Sequence, residues 1–573
     1  MRFLPGLALA RRYDPTWLRH DLAAGVVLTA LLVPQGMAYA ELAGLPAVTG
    51  IYATMLPLLA YALFGPSRIL VMAPDSAIAP VVAATVIPIA GADPGDRMAV
   101  AAFLAVAVGA ICIIGGLARL GFVTDLLSKP VRIGYLAGIA LVVIVDQLPK
   151  LLGLDVGADG LIAQVLELVG EVTALNPLTA AIGVGALVIL AGLRRWLPKV
   201  PGALVVVVGG IALVAALGLE DDIATVGAVP PGLPAFSIPP IPVEGLQEIA
   251  LGALAIALVA FTDTSVLSRS YGTRLGERVS QDQELFALGT VNVAAGLFQG
   301  FPLSSSSSRT PAAEEAGART QLTGVAAAIV LGLILLFATG LLAPLPTAIL
   351  AAIVIVAVAG LCDLPALRRL ARLNVLDFSL GIAALLGVAL IGVVPGIGIA
   401  VGLSAGALLW RTWHPYMAVL GRVQGLKGYH DHDRHPEGRQ IPGLVLFRFD
   451  APLFFANAEH FREGVLDAIA VADQPVRRVI VAAEPITDVD STAEDMLAEL
   501  LDHLDRHHIG LSLAELKGPV KDQVVRYGLE ARLAQPPFPR TVGEAVHDYL
   551  EEFDVPWVDW EDEEEHDRPR DAR

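Results

Sequence analysis

Apolar runs long enough to cross a bilayer recur from about residue 22 to residue 413 and then cease, and that rhythm limits what the chain can fold into. A crossing helix needs about 20 consecutive, mostly apolar residues. Spans of roughly 20–41, 46–64, 74–90, 98–118, 131–149, 177–197, 202–218, 247–268, 284–299, 307–317, 321–341, 346–362, 376–394 and 397–413 meet or approach that length, about fourteen in all. With 55% hydrophobic and 17% charged residues and a mean hydropathy of +0.66, the chain is expected to be a polytopic α-helical membrane protein. The 39 basic against 57 acidic residues argue against nucleic acid as a partner.

Loop charges orient the expected helices. With the first residue inside, the inner loops carry Arg68; Arg119, Lys129 and Arg132; Arg194, Arg195 and Lys199; Arg274 and Arg278; and Arg368, Arg369 and Arg372. The outer loops carry Asp93, Asp96, Asp155, Asp159, Glu220, Asp221, Asp222 and Glu244, with few bases such as Arg97 and Lys150. This is the positive-inside pattern, with both ends of the membrane domain cytoplasmic. The N-terminus has its arginines after a short apolar patch, the wrong order for a cleavable signal, and is expected to stay.

Two spans are too short or too polar to cross, at 74–90 and 307–317. The second follows the serine run of residues 300–320, GFPLSSSSSRTPAAEEAGART. Polar, non-helical backbone at membrane depth is tolerated only where it is buried in protein or lines a watery cavity. A helix starting there offers unpaired N–H groups and a positive end to an anion. The two short spans are third and tenth in order, so they occupy corresponding places in a seven-plus-seven repeat. Because seven is odd, the second copy is inverted, and paired interrupted segments of this kind point to a transporter's binding site near the midplane.

Beyond residue 413 the pattern becomes that of a soluble α/β module. Strands are expected at 444–449, 476–482 and 509–513, and helices at 493–507 and 520–527. The expected domains are a cytoplasmic segment at 1–19, a transmembrane domain at 20–415, a polar linker at 416–440, the α/β module at 441–555 and an acidic disordered tail at 556–573. Cys112 and Cys362 lie in apolar runs and read as small core residues. There is no GxxxxGK[ST] phosphate loop, no HExxH and no nucleophile elbow, so no enzyme and no organic cofactor or metal centre is expected.

PQGMAYA at 34–40, Leu45-Pro46, GIYA at 50–53, GPSR at 65–68 and PDSA at 74–77, in that order, resemble the signature of the sulfate permease family, also called solute carrier family 26. The GFP at 300–302, SRT at 308–310 and AGART at 316–320 are similar to that family's tenth-segment motif. FFANA at 454–458 and DVDSTA at 488–493 resemble its C-terminal STAS domain. The resemblance implies core and gate domains, an anion held between the third and tenth half-helices, elevator-like motion of the core, and a homodimer. The family often has Gly where this chain has Ala73, and many members have Glu where it has Asp263.

On that basis Ser76 and Ala77 are expected to offer backbone N–H groups to a small anion, with Ser307, Ser308 and Arg309 facing them. Arg309 would supply the positive field; the bland alternative is that it snorkels to headgroups while the serines cap a helix. Gln35 and Tyr39, at i and i+4, can face one cavity from a single helix. Asp75 reads as a helix cap or as turned away from the anion. Asp263 is an ionisable group in an apolar run, functional by default. Either it binds Na⁺ with Thr264 or it takes up H⁺; otherwise it forms a salt bridge to Arg269 or Arg309. Glu314 and Glu315 are gate-facing or cytoplasmic. Ser491 is the place of a phosphorylation site in STAS proteins, although capping of the next helix by residues 490–492 explains the same residues.

These readings combine into an inner-membrane secondary transporter of small anions (sulfate, bicarbonate, chloride or dicarboxylate class), driven by Na⁺ or H⁺. Its STAS domain would be open to a cytoplasmic regulatory partner. The alternatives are an uncoupled exchanger or channel, and a membrane-anchored STAS signalling protein.

Overall fold

The computed structural model describes residues 4–6, 13–122, 128–158, 160–197, 200–242 and 244–559. Asp159, Lys199, most of the first twelve residues and the tail from residue 560 lie outside the described residues. Two compact units are present, Met1–Ala405 and Gly406–Arg573.

Every expected span of the first unit contains a helix. The first seven spans hold α1 (Leu18–Leu42), α2 (Val48–Phe64), α3 (Ala79–Ala90), α4 (Pro94–Leu117), α5 (Lys129–Leu152), α7 (Pro177–Trp196) and α8 (Gly202–Leu217), with an unexpected short helix, α6 (Leu161–Gly170), before α7. The second seven hold α9 (Leu246–Leu275), α10 (Gln281–Leu297), α11 (Arg309–Glu315), α12 (Leu322–Phe337), α13 (Thr347–Ala359), α15 (Val375–Leu386) and α16 (Val393–Trp413). Another unexpected helix, α14 (Leu364–Leu373), carries Arg368, Arg369 and Arg372, with Leu367 buried against Ile133 and Ala137. Among the described residues seven helices are long and apolar enough to cross a membrane, and shorter helices fill the other spans. Bulky apolar side chains such as Ile114, Val188 and Phe337 face outward at 65%, 66% and 82% exposure, a surface that lipid covers and water does not favour.

Close backbone approach lets these helices cross. A Cβ on Gly50 would lie 1.9 Å from the Gly36 carbonyl oxygen, so α1 and α2 touch main chain to main chain. Between α4 and α10, Gly109 and Gly289 each lie where a Cβ would meet the other's carbonyl oxygen at 2.7 Å. Small residues at such contacts are how helices associate in lipid, where there is no hydrophobic drive between them.

The two short segments are each introduced by a two-residue strand, β1 (Met72–Ala73) and β2 (Ser304–Ser305). They pair antiparallel, Met72 opposite Ser305 and Ala73 opposite Ser304. The pairing satisfies main-chain groups that a non-helical stretch would otherwise leave orphaned at this depth. It also brings the starts of α3 and α11 together from opposing directions. Side chains brace it: Asn292, fully buried on α10, accepts from Leu303 N at 3.0 Å and donates to its carbonyl at 3.2 Å. The Thr310 hydroxyl accepts from Val71 N at 3.1 Å.

Three other polar clamps were not signalled by periodicity. Asp21, fully buried on α1, accepts from Arg319 N, Thr320 N and the hydroxyls of Thr320 and Thr323 at 2.7–3.0 Å, which caps the entry to α12. Glu284 of α10, also fully buried, accepts from the Tyr61 hydroxyl at 2.5 Å and the Ser67 hydroxyl at 3.4 Å. The amide of Gln321 donates to the Ser67 and Leu70 carbonyls, both at 2.9 Å. Cys112 is buried and Cys362 half-buried, and neither is in a disulfide.

The second unit is a five-stranded mixed sheet, β3 (Met417–Arg422), β4 (Tyr429–Asp431), β5 (Leu444–Phe449), β6 (Arg478–Ala482) and β7 (Gly510–Ala514), in the order β4-β3-β5-β6-β7. β5, β6 and β7 are parallel and the β3–β4 edge is antiparallel. One face packs on α17 (Ala458–Ala470), α18 (Ser491–Arg506) and α19 (Gly518–Arg526), and the other on α20 (Val542–Phe553). The expected strands and helices are present within about two residues. α17 and α20 lie where no element was assigned.

The linker expected at 416–440 is corrected: it contributes two strands, so the module begins near residue 417. β3 pairs with β5 over Met417–Leu420, and the polar His-rich stretch after it is a turn and edge strand whose exposed side needs no apolar pattern. The tail expected from 556 is corrected in part. Asp559 pairs with Arg422 at 2.6 Å and the Arg439 guanidinium lies over the Trp557 ring, so the chain is bound to the sheet at least to 559.

Candidate anion site

The site is built where β1 and β2 deliver the chain to α3 and α11. Arg309 opens α11 and is only 1% exposed. Its Nε donates to the Ser306 hydroxyl at 2.8 Å and its Nη2 to the Pro74 carbonyl. The same Nη2 stands 3.9 Å from Asp75 Oδ2, and the guanidinium lies 5.7 Å from the centre of the Tyr39 ring. The third nitrogen, Nη1, is buried and makes no hydrogen bond among the described residues. A buried guanidinium N–H without an acceptor costs free energy, and an anion would satisfy it. Arg309 does not snorkel; it is folded inward across the β1–β2 crossing.

Further groups are unpaired. Among the described residues, the Gln35 Oε1 and Ser305 Oγ atoms are also buried without partners. Tyr39 is 2% exposed, with the Ser76 hydroxyl beside its phenol and the Arg309 guanidinium over its ring. No described group accepts the backbone N–H of Ser76, Ser307 or Ser308. Ser307 and Ser308 are exposed, and the Ser308 hydroxyl lies 3.3 Å from that of Ser306.

Ala77 is corrected. Its N–H donates to Asp75 Oδ1 at 3.1 Å, so it is not available to an anion. Asp75 therefore caps the α3 turn, as expected of it, but it is not turned away: it is the ion-pair partner of Arg309. Charge pairing was the available signal, because an arginine at membrane depth requires a counter-charge and Asp75 is the acid at the mirrored helix start. Ser306 and the Pro74 carbonyl, which hold the guanidinium, had no comparable signal.

Asp263 and Thr264 do not converge. Thr264 is fully buried and its hydroxyl accepts from Ser305 N at 3.3 Å, tying α9 to β2. Asp263, half-buried, makes no hydrogen bond or ion pair among the described residues; the charges nearest it in effect are Asp75 and Arg132. The expected alternative bridge to Arg269 or Arg309 is not formed. Successive residues on a helix point about 100° apart, which is why one faces the strand and the other does not. Glu314 pairs with Arg274 at 3.1 Å, away from Arg309.

Ser491 is exposed at the first turn of α18. The cap is Asp490, which accepts from Ala493 N at 2.8 Å and also from Phe455 N at 2.8 Å. The string GLSAG at 402–406 has nucleophile-elbow spacing but lies inside α16, where the Ser404 hydroxyl accepts from Ser128 N at 2.8 Å. It lacks the strand-to-helix turn that makes an elbow.

The sulfate permease family model matches residues 18–384, and the STAS domain model matches residues 435–545. A probable sulfate transporter of Mycobacterium tuberculosis is 42% identical over 521 residues, covering 91% of this chain and 93% of the relative. The chain belongs to the sulfate permease family.

Within the family, human solute carrier family 26 member 6 is 32% identical over 494 residues, covering 81% of this chain and 65% of its own. Among solved structures, the murine solute carrier 26 family member A9 anion transporter, in its inward-facing state, matches with a TM-score of 0.88 at 22% identity, covering 96% of this chain and 94% of that one. The transmembrane domain of a cyanobacterial bicarbonate transporter matches with a TM-score of 0.60 at 24% identity, covering 69% and 99%. The family's fold, a multi-pass helical membrane domain of seven plus seven segments followed by a STAS domain, is that of this chain. The family is one of transporters, not enzymes.

Proposed function

We propose that this chain is a secondary active transporter of small inorganic anions, with sulfate first among the candidates because the 42%-identical relative is named for it. The observation that carries the reading is the unsatisfied Nη1 of a guanidinium buried beside free backbone N–H groups at two helix starts. Ser76, Ser307, Ser308 and Arg309 bind the anion, with Gln35 and Tyr39 closing the site from α1. Asp263, an acid without a partner among the described residues, carries the coupling through H⁺ or Na⁺; Thr264 holds β2 in place instead of sharing the ion. Transport proceeds by elevator-like movement of a core that holds α3 and α11 against a gate. The protein works as a homodimer in the cell membrane, with its N-terminus and STAS domain cytoplasmic. Ser491, exposed at a helix start where added negative charge is accommodated, is the proposed regulatory phosphorylation site.

The test is uptake by the purified full chain in liposomes, with labelled sulfate, chloride and bicarbonate under imposed Na⁺, H⁺ and zero gradients. Accumulation above equilibrium that follows one gradient supports coupled transport. Exchange without accumulation would replace it with an uncoupled pathway, and no flux of any anion would leave a signalling role.

A further inference from the structure

Arg309 is the one cation buried among the site residues, and Asp75 already neutralises it at 3.9 Å. The acid is the more open member of the pair: the Asp75 side chain is 13% exposed and that of Arg309 only 1%. An anion approaching Nη1 therefore meets a carboxylate that competes for the same guanidinium. The other groups bearing on Asp75 do not offset it. Tyr39 from α1 is a phenol, Asp263 from α9 is a second acid rather than a cation, and Arg132 from α5 acts on Asp263. The Ala77 N–H from its own turn holds Oδ1, which leaves Oδ2 facing the arginine.

Building on the anion-transport reading, we infer that Asp75 is a tethered counter-anion that yields Arg309 to the substrate by taking up one proton as the anion binds. The balance is simple. A proton from the water on the side of entry bonds to Asp75 Oδ2, the carboxylate's claim on Nη2 lapses, and the guanidinium's charge is free for the anion. When the anion leaves on the other side, the proton leaves with it and the Arg309–Asp75 pair re-forms. The empty site is thus never left with an uncompensated buried charge, a strongly unfavourable state. The anion and the proton occupy the same moving element, so Asp75 contributes one proton per anion independently of whatever Asp263 carries.

The experiment measures binding of labelled sulfate to the full chain in nanodiscs, from about pH 5.5 to 8.5, for the native protein and Asp75→Asn. One proton taken up on binding weakens affinity about tenfold per pH unit of increase. Asparagine keeps the Oδ1 that accepts from Ala77, so the α3 turn survives. The expected result is that Asp75→Asn has a pH slope lower than native by one tenfold step per unit, and binds more tightly than native at the alkaline end. An unchanged slope in Asp75→Asn would overturn the inference while leaving the Arg309 site standing. So would loss of binding at every pH, which would make the carboxylate a structural or direct requirement. Should the native protein bind neither sulfate nor any of chloride, bicarbonate or a dicarboxylate in competition, the transport reading falls and this inference falls with it.

Discussion

Replacing Arg309 with glutamine separates what the guanidinium does for the fold from what it does for the ligand. The structural side is the contact set across the β1–β2 crossing: Nε to Ser306, Nη2 to the Pro74 carbonyl and the Asp75 pair. Removing one partner of a buried ion pair typically costs about 3–5 kcal/mol. The Asp75 side chain is 13% exposed, so the lower end applies, and Arg309→Gln is expected to lose about 3 kcal/mol of stability. The ligand side is Nη1, which makes no hydrogen bond among the described residues. A charge-assisted hydrogen bond contributes about 1.5–3 kcal/mol, so anion affinity should fall roughly ten- to a hundredfold. The double variant Arg309→Gln/Asp75→Asn separates the two, because it removes the abandoned charge but restores no donor. Thermal unfolding in detergent should show most of the lost stability recovered in the double variant, while sulfate binding stays as weak as in the single one. Native affinity in Arg309→Gln, or recovered binding in the double variant, would refute the assignment of Nη1 to the anion.

Three further outcomes are expected. Asp263→Asn should bind anion but fail to accumulate it against a gradient; uptake that still follows the imposed Na⁺ or H⁺ gradient would remove Asp263 from coupling. Asn292→Leu, which deletes the clamp on Leu303, should cost about 1–3 kcal/mol and abolish transport in protein that still inserts, since β2 loses its brace; normal flux would show that β1–β2 pairing alone positions the site. In the STAS domain the Tyr416 hydroxyl donates to Asp431 and holds that carboxyl below its usual range. A depressed folded value means stability present above the unfolded carboxyl range and lost as pH falls through the folded one. Tyr416→Phe should therefore move acid unfolding, followed by thermal melts of the full chain between about pH 3 and 6, to higher pH, and identical acid limbs in the two proteins would contradict it.

Much of this architecture was legible in order along the chain. Hydrophobic run length located most of the fourteen segments, because lipid demands that each crossing satisfy its own backbone and therefore be helical and apolar; the polar serine run, not an apolar one, marked α11. Strand and helix periodicity located most of the STAS sheet. What escaped were elements whose pattern carries no such demand: the amphipathic α14 between two crossings, the short edge strand β4 inside a histidine-rich stretch, and α17 and α20.

The same division runs through the site. Composition, loop charge and the paired short segments, read from the sequence by itself, determined a multi-pass membrane protein with a polar centre at 74–77 and 300–320, and picked out Arg309 and Asp263 as charges needing a reason. Only the tertiary structure decided which groups are spent and which are free. It gave Ala77 N–H to Asp75, the Thr264 hydroxyl to Ser305 and Asp75 to Arg309, and left Nη1, Ser76 N–H and the Ser307 and Ser308 N–H groups without partners among the described residues. The reason is physical: the need to bury a charge or an N–H is a property of the residue, but the partner that satisfies it is chosen across 235 positions of chain by the antiparallel crossing of β1 and β2, which no local pattern encodes.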